Sequence, residues 1–554
     1  MFVQHQHLGA SLSFTTSIQL IGATKAPGLK HYRDLAESIR NDRELDIDTS
    51  SLSVEELTDL VSAARTVNDT KTCRAVESIL LARKGTFDKA VPNFKAFKGV
   101  LEAFLKVDCI DGWIYVNADD GKLYPQLVTA ITYDDGNHGR GKNMPTVRIH
   151  TACYGFNRDG NHKVQFSSYH TSHTFYPQSV ANRRISDILA AAGIYKETDA
   201  LRDEHTASLE RHLRVTGDAF GRQFRFSGTV YHFEESNHNR RGQELSGRRV
   251  IHDLDPKDYG AAPLHMESCI VGDSGSEGAV GKVPEHPLVK VFDLRTHEFF
   301  WVNSDFLSAY AYDKSLRNKL VLPPTHRELL DVLTSDLDAF VSDFVEGKSA
   351  GNVILCKGIP GVGKTLTAEV YAELIERPLY SIHSGSLGTT ADQIEANLRM
   401  IFQRGKRWGC VLLLDEADVF VVTRGENIEQ NAIVAEFLRT LEYFDGLLFM
   451  TTNRPNDIDE AIISRCAAII DYAPPAAEDA AAIWRVMASQ FETKMSEGLI
   501  GELVREFPGL APRDAKMLLR LALRVATAHN EPLSLKIFTK CAMFRAVKMR
   551  ADGP

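Results

Sequence analysis

One short segment, GIPGVGKT at residues 358–365, restricts the possible folds of this 554-residue chain more than any other. It matches the pattern GxxxxGK[ST] and lies between the apolar run NVILCK and the helical pattern LTAEVYAELIE. Glycines let backbone amides curl around phosphates, a lysine neutralises their charge, and a hydroxyl binds Mg²⁺. Because this chemistry requires the order strand, loop, helix, the segment predicts a nucleotide-binding α/β domain.

The motif gives each of its positions an expected role. The residues expected to bind the nucleotide are Gly358, Pro360, Gly361, Val362, Gly363, Lys364, Thr365 and Leu366. Within this set, the lysine is expected at the β- and γ-phosphates, and the threonine hydroxyl is expected to bind Mg²⁺. The predicted ligands are therefore ATP and Mg²⁺.

A second apolar run, CVLLL, ends in Asp415 and Glu416. In a parallel sheet, a buried run of this kind places the carboxylates at the carboxyl end of the strand, next to the phosphate loop. Asp415 is expected to hold Mg²⁺ through water, and Glu416 to orient and deprotonate the attacking water. The alternative is a core strand that ends in a solvated acidic turn, and the phosphate loop at this spacing argues against it.

A third apolar strand, GLLFMTTNRP, ends at Asn453 and is followed by DIDEAIISRC. This order of motifs resembles the AAA+ ATPases, and TTNRPNDIDEAIISR is similar to the second region of homology of the AAA clade. The resemblance implies that Asn453 is sensor 1. The SRC motif is similar to that of clamp-loader ATPases, which implies that Arg465 is an arginine finger for the neighbouring subunit's γ-phosphate. The alternative for Arg465 is a helix-end cation paired with Asp459 or Glu460.

The C-terminal stretch has the pattern of consecutive amphipathic helices and resembles the small lid that follows an AAA+ core. Arg513, at the start of one helix, resembles the sensor 2 arginine that folds over the nucleotide. The alternative is a surface arginine paired with Asp514 or Glu506. The resemblance is strong over residues 325–554, and the segment before it looks more loosely like a little-characterised AAA group prominent in fungi.

The predicted fold class is α/β: a P-loop NTPase (AAA+) parallel sheet core with a C-terminal helical lid, preceded by α+β N-terminal domains. The chain is too long for one core, and 44% hydrophobic residues are enough for several. The expected units are a helical region at 1–95, an α+β recognition module at 96–235, a β-rich segment with mobile loops at 236–324, the nucleotide-binding core at 325–475 and the lid at 476–554. Within the β-rich segment, PLVKVFDLRTHEFFWVN predicts a hairpin packed next to the ATPase.

Composition narrows the classes of function. The net charge of −9 lowers the expectation of a protein that coats nucleic acid. The N-terminus has no basic start before an apolar stretch, and no apolar run is long enough for a membrane span, so a cytoplasmic protein is expected. Eight cysteines without a CxxC pair predict free thiols in a reducing compartment. The spacing of four histidines fits no compact metal motif, so they are interpreted as surface or core residues: His150, His170, His173 and His205.

The place of the usual aromatic pore loop, after the second strand of the core, is held by SIHSGSLGTTADQIEANL. Machines that thread a protein chain usually carry an aromatic residue there, but no aromatic lies between Tyr380 and Phe402. Leu387 and Gly388 are the nearest apolar candidates. The loop after the acidic strand also faces the pore in this fold and offers Arg424 as a further, charged candidate. Threading by an aromatic grip is therefore not expected.

Three uses of ATP stay open at this stage. The first is a ring-forming ATPase, expected to be a hexamer, that remodels an unknown protein selected by residues 1–320. The second is a nucleic-acid-associated motor or loader, which is less expected; it is supported by SRC and by arginines in a segment with loop-like composition, Arg240, Arg241, Arg248 and Arg249. The third is a nucleotide-gated scaffold without useful turnover, against which the intact catalytic motifs argue.

Overall fold

A computed structural model describes most of the chain. The described residues are 13–38, 44–48, 52–70, 72–73, 76–77, 80, 86–136, 144–158, 164–217, 220–232, 243–254, 266–269, 280–335, 352–388, 390–426, 428–545 and 547. None of the helices in these ranges has both the length and the apolar content that a bilayer crossing requires.

The first unit combines helices with a pair of short antiparallel strands. Its elements are β1 (Ser13–Ser17), α1 (Ile18–Gly22), α2 (Lys30–Ser38), β2 (Glu44–Asp48) and α3 (Val54–Thr66). Helix α3 begins with a capping box, in which the Ser53 hydroxyl accepts from the Glu56 amide and the Glu56 carboxylate accepts from the Ser53 amide. The region predicted as helical therefore also contains a strand pair.

An antiparallel five-stranded sheet with the order β6-β5-β4-β3-β7 forms the second unit. Its strands are β3 (Trp113–Asn117), β4 (Leu123–Asp134), β5 (Thr146–Arg158), β6 (Val164–Phe175) and β7 (Ile194–Lys196). The helices around it are α4 (Phe94–Lys106), α5 (Pro177–Val180), α6 (Ile185–Ala191) and α7 (Asp199–Thr216). Helix α4 buries Phe97, Leu101 and Phe104 in the core of this unit because they recur at the spacing of one helix face.

A second antiparallel sheet, with the order β13-β12-β9-β8-β14, follows. Its strands are β8 (Gln223–His232), β9 (Gln243–His252), β12 (Leu288–Asp293), β13 (Phe299–Asn303) and β14 (Leu307–Ala309), and a separate pair is formed by β10 (Met266–Ser268) and β11 (Val280–Lys282). The predicted hairpin is confirmed as β12 and β13. Strands β8 and β9 pair antiparallel, and the domain boundary predicted at residue 235 lies between them, outside the described residues.

Strand β9 also corrects the interpretation of the arginine-rich segment as a loop. Arg248 lies on this strand and donates through Nε to the fully buried carboxylate of Asp293 at 2.9 Å. Arg249 lies beside it, with its guanidinium 3.9 Å from the carboxylate of Glu373. Arg240 and Arg241 lie outside the described residues. At least two of the four arginines are therefore engaged with carboxylates of the protein itself.

The nucleotide-binding core is a parallel five-stranded sheet with the order β16-β17-β18-β15-β19. Its strands are β15 (Asn352–Gly358), β16 (Leu379–His383), β17 (Val411–Asp415), β18 (Leu447–Thr452) and β19 (Ala468–Tyr472). The helices of this part are α8 (Pro324–Ser335), α9 (Lys364–Leu374), α10 (Ala391–Trp408), α11 (Asp418–Val421), α12 (Ile428–Leu441) and α13 (Glu460–Ile463). Because helices cover both faces, the middle strands are continuous apolar runs.

A helical lid follows the sheet. Its helices are α14 (Ala477–Gln490), α15 (Glu497–Glu506), α16 (Pro512–His529) and α17 (Leu535–Met543). They enclose their own core, in which Trp484 and Phe538 meet edge to face. The predicted fold class, a parallel P-loop sheet with a helical lid after α+β regions, is confirmed.

The second antiparallel sheet packs directly on the nucleotide-binding core. Ile251 and Phe292 belong to the same buried cluster as residues of β16 and α10, and Phe292 lies against Trp408 at a ring distance of 4.7 Å. The Trp408 indole donates to the buried carboxylate of Asp253 at 2.8 Å. Because apolar surface and a buried hydrogen bond are shared, the sheet and the core stabilise each other.

Candidate nucleotide site

The phosphate loop joins strand β15 to helix α9. Gly358 and Gly361 have φ angles of +146° and +85°, a region that favours glycine. A Cβ on Gly358 would lie 2.4 Å from the carbonyl oxygen of Tyr472, and one on Gly361 would lie 2.9 Å from Cβ of Arg513. The predicted residues Pro360, Val362, Gly363 and Leu366 lie in the same loop and the first turn of α9. The loop is therefore held tightly at both of these glycines.

Lys364 lies at the start of α9 with its side chain turned back into the loop. Its Nζ donates to the carbonyl oxygens of Gly358 at 2.7 Å and Ile359 at 2.8 Å, and to Oδ1 of Asn453 at 2.8 Å. Burial lowers the pKa of Lys364, and the nearby carboxylates of Asp418 and Asp415 act in the opposite direction. The loop, the lysine and the end of strand β18 thus meet at one point.

The predicted metal-binding residues lie side by side. The Thr365 hydroxyl, on α9, donates to Oδ1 of Asp415 at 2.8 Å, at the end of β17. The same carboxylate oxygen accepts from the hydroxyl of Thr451 on β18 at 2.6 Å. Hydroxyl and carboxylate oxygens are hard donors of the kind that Mg²⁺ prefers, so this donor set fits the predicted ion.

Glu416 follows Asp415 and is exposed at the edge of the sheet. Its backbone is left-handed, with φ +55°, and its amide donates to the Thr451 hydroxyl at 2.9 Å. The next amide, that of Ala417, donates to the carbonyl oxygen of Thr451 at 2.8 Å. The position of the predicted general base is therefore set by a neighbouring strand.

Asn453 is held at its backbone as well as at its side chain. Its amide donates to Oδ1 of Asp418 at 2.9 Å, and the Thr452 hydroxyl donates to the same oxygen at 2.6 Å. Neither Asp418 nor Thr451 was among the site residues predicted from the sequence. The available signals were the third carboxylate of DEAD and the hydroxyl two positions before Asn453, and both acquire meaning only when β17 and β18 are known to be neighbours.

Arg465 lies just after helix α13. Its guanidinium donates to the carbonyl oxygen of Ala461 at 3.0 Å and lies 3.9 Å from the carboxylate of Glu442. The alternative pairing with Asp459 is not the arrangement found, because Asp459 binds Arg424 at 2.8 Å. The contacts of Arg465 are thus with α13 and with Glu442.

Arg513 connects the lid to the phosphate loop. Its amide, in the first turn of α16, donates to the carbonyl oxygen of Gly361 at 3.1 Å. Asp514, proposed as an alternative partner, instead lies 3.3 Å from the guanidinium of Arg545. The start of this lid helix thus contacts the phosphate loop, and the sensor 2 role of Arg513 stays a prediction.

The pore candidates have different surroundings from those expected. Leu387 is completely buried in the core cluster, which corrects its interpretation as an apolar grip. Gly388 follows it with φ +107°. Arg424 forms the ion pair with Asp459 described above. The Leu387 side chain is therefore used in packing and the Arg424 side chain in an ion pair, and Gly388 has no side chain.

The four histidines have separate partners. Imidazole–polar contacts join His150 to Thr132 at 2.9 Å, His170 to Glu267 at 2.6 Å and His173 to Gln126 at 2.8 Å. His205 packs edge-on against Trp113, and burial lowers its pKa to about 4. Within the described ranges, no group of three or more His, Cys, Asp or Glu side chains is arranged to hold a metal ion.

Comparison with known proteins identifies the central part of the chain. Residues 354–473 match the family described as "ATPase family associated with various cellular activities (AAA)". This match covers the strands, the phosphate loop and the acidic and asparagine-bearing strand ends described above. It leaves the antiparallel sheets and the lid outside.

Three curated relatives match parts of the chain. The uncharacterized AAA family ATPase y4kL of Sinorhizobium fredii is 29% identical over 32% of this chain and 54% of its own length. The peroxisomal ATPase PEX6 of Eremothecium gossypii is 33% identical over 24% of this chain and 14% of its own length. The ATP-dependent zinc metalloprotease FtsH of Protochlamydia amoebophila is 33% identical over 20% of this chain and 13% of its own length.

The chain thus spans about half the length of the first relative and a small part of the other two. The family match and these relatives confirm the resemblance inferred from the motifs: the chain contains an AAA+ ATPase domain.

Proposed function

We propose that this chain hydrolyses ATP and uses the energy to remodel a protein or protein complex selected by its N-terminal half. The observation that carries the proposal is one set of contacts, in which Lys364 reaches Asn453 while Thr365 reaches Asp415. These contacts join three separate strand ends at the phosphate loop. AAA-family ATPases as a group bind and hydrolyse nucleotide, and the intact motif residues favour turnover over a scaffold role.

Each residue has a proposed task at this site. Lys364 neutralises charge on the β- and γ-phosphates, and Thr365 and Asp415 hold the metal ion. Mg²⁺ held there would supply positive charge to offset the negative charge of the phosphates. Glu416 accepts the proton of the attacking water, and Asn453, next to Lys364, orients the reacting groups.

Residues outside the core motifs complete the proposal. Arg513 covers the nucleotide from the lid, since its backbone already contacts Gly361. Arg465 acts on the nucleotide of a neighbouring copy, which requires head-to-tail contacts that close into a ring, proposed to be a hexamer. A cytoplasmic location is proposed with this function.

A protein substrate is favoured over nucleic acid. FtsH, one relative of the ATPase segment, is named as an ATP-dependent protease and therefore acts on protein. Arg248, one of the arginines that supported a nucleic-acid reading, donates to buried Asp293 and is not available for phosphates. The acidic net charge of −9 points the same way.

The experiment is a Glu416→Gln substrate trap in the full chain. Removing the base leaves nucleotide binding intact and lowers turnover by orders of magnitude, so a bound partner is retained. Affinity capture with ATP, with and without nuclease, should retain a nuclease-resistant protein partner that Lys364→Ala does not retain. Wild-type turnover by Glu416→Gln would refute the assigned base, and capture that nuclease abolishes would support the nucleic-acid alternative.

A further inference from the structure

Thr451 is a buried residue of the central strand β18, two positions before Asn453. The register of β17 and β18 pairs Leu414 with Met450, so Thr451 stands beside the acidic end of β17. Its hydroxyl donates to Oδ1 of Asp415 at 2.6 Å and accepts from the amide of Glu416 at 2.9 Å. The same hydroxyl therefore donates a hydrogen bond to one acidic residue and accepts one from the backbone of the next.

The first of these bonds restrains the carboxylate expected to hold the metal. Oδ1 of Asp415 accepts from Thr365 on one side and from Thr451 on the other. Groups that hydrogen-bond a metal-binding carboxylate fix its orientation, and their loss commonly lowers metal affinity or activity. Thr451 thus acts on the metal site from behind, through Asp415.

The second bond restrains the backbone of the expected general base. Glu416 adopts a left-handed conformation, φ +55°, which is unfavourable for a residue with a Cβ and persists where neighbouring contacts enforce it. Its amide donates to the hydroxyl of Thr451, and the Ala417 amide donates to the Thr451 carbonyl oxygen. Thr451 alone therefore supplies the acceptors for both amides of this turn.

We propose that Thr451 is a positioning residue for both acidic residues of the site, orienting Asp415 toward the metal ion and fixing the backbone of Glu416. This inference rests on the proposed ATPase function. In this proposal Thr451 contacts neither the metal ion nor the attacking water and acts through Asp415 and Glu416. A side chain of the same shape without a hydroxyl cannot replace it, because it can neither donate nor accept.

The test compares Thr451→Val, which keeps the shape, with Thr451→Ser, which keeps the hydroxyl. Mn²⁺ serves as the probe, and its binding to the full chain with ADP is measured by electron paramagnetic resonance, which needs no turnover. Thr451→Val should weaken Mn²⁺ binding about tenfold or more. Thr451→Ser should bind Mn²⁺ as the wild type does, and ADP affinity in the presence of a chelator should be the same in all three proteins.

The kinetic prediction separates positioning from a general loss of structure. With Thr451→Val, half-saturating Mg²⁺ should rise and kcat should fall by about 10- to 100-fold, with Thr451→Ser restoring both. The matched control is Thr334→Val, which removes another buried hydroxyl, one that donates to the Leu330 carbonyl oxygen at 2.7 Å in α8. It should leave Mn²⁺ binding and kcat unchanged.

The remaining outcomes of these experiments also decide the proposal. Equal Mn²⁺ affinity in Thr451→Val and the wild type, Thr451→Ser as defective as Thr451→Val, or no Mn²⁺ binding by the wild type would overturn the proposal. If Thr451→Val does not fold, Thr451→Ala takes its place, and unfolding of both would assign Thr451 a purely structural role. A wild-type protein that binds Mn²⁺ without hydrolysing ATP would refute the proposed function and leave the Mn²⁺ comparison to decide the role of Thr451.

Discussion

Nζ of Lys364 lies 2.8 Å from Oδ1 of Asn453, so the phosphate loop and the end of a strand far along the chain share one hydrogen bond. The lysine ammonium also donates to two carbonyl oxygens of its own loop. Because a lysine ammonium has three donors and all three are used here, a nucleotide phosphate would replace one of these acceptors or share a donor with it. The roles proposed for the two partners of this bond differ, Lys364 acting in nucleotide binding and Asn453 in turnover.

Substitution of these two residues should divide binding from turnover. Lys364→Ala should lose measurable ATP binding because the phosphate charge is left unneutralised, whereas Asn453→Ala should bind ATP and hydrolyse it at least about tenfold more slowly. Fluorescent-nucleotide binding and steady-state phosphate release measure the two quantities. Normal turnover in Asn453→Ala would remove the sensor role from that residue.

Assembly should depend on nucleotide and on Arg465. The Glu416→Gln protein with ATP should form a closed oligomer, because the role proposed for Arg465 requires the nucleotide of a neighbouring copy. The Arg465→Ala substitution should leave nucleotide binding by each protomer unchanged. In a protein that is otherwise wild type, it should lower ATP turnover. Native mass measurement at micromolar concentration checks the assembly, and a strict monomer under these conditions would contradict the finger role.

The two described arginines of β9 should matter for stability and not for nucleic acid. Arg248→Ala should lower the free energy of unfolding by about 3 kcal/mol, because it removes the guanidinium partner of a buried carboxylate. Arg249→Ala is the matched control, and the greater exposure of its guanidinium limits the expected cost to about 1 kcal/mol or less. Chemical denaturation measures both changes.

A nucleic-acid assay completes this comparison. DNA or RNA should raise ATPase turnover less than about twofold, and this small effect should not depend on Arg248. Strong stimulation that is steeply reduced by salt and lost when the arginines at 240, 241, 248 and 249 are replaced by alanine would favour the nucleic-acid alternative.

Three histidines with lowered pKa values should make the protein sensitive to mild acid. Burial lowers the pKa of His205 and His212 to about 4 and that of His286 to about 3. The unfolded chain takes up these protons near pH 6.5 and the folded chain does not, so stability is full above that pH and falls as the pH is lowered toward 4. At pH 5.5 each histidine should lower the free energy of unfolding by about 1.4 kcal/mol relative to neutral pH.

The control for the acid prediction is His205→Phe, which keeps an aromatic ring against Trp113 and carries no titrating proton. Denaturant unfolding from pH 7.5 to 5.5 should show a smaller loss of stability in this variant, by about one proton's contribution. An unchanged pH dependence would mean that His205 does not stay neutral in the folded protein.

The sequence was sufficient to predict the parts of the site in which consecutive residues determine both the backbone conformation and the chemistry. The strand, loop and helix around Lys364 could be predicted because the apolar run, the glycines and the helical pattern are contiguous. The roles of Thr451 and Asp418 could not, since they depend on which strands are neighbours. Sheet order is set by contacts distant in sequence, and those contacts are visible only in the fold.

Strand β9 also shows that local composition is not enough to predict structure, because here it suggested a loop where the fold has a strand. Its glycine and arginines have the composition of a loop, yet Arg248 is satisfied by Asp293, which lies 45 residues further along the chain. Leu387 similarly follows a glycine and a serine, a pattern typical of an exposed turn, and is nevertheless buried. In both cases a partner supplied by tertiary structure overrides local composition.

Helix α9 begins at the phosphate loop, and on it Glu373 accepts hydrogen bonds from the Tyr310 hydroxyl at 2.6 Å and the Asp313 amide at 2.9 Å. Both donors lie in the segment that joins the second antiparallel sheet to α8. If ATP binding shifts that segment, ATP binding and any binding event that depends on the segment's position are linked by a coupling free energy. Such coupling is reciprocal. Any partner that binds the sheet and moves this segment must then change ATP affinity by the same factor by which ATP changes the affinity for the partner.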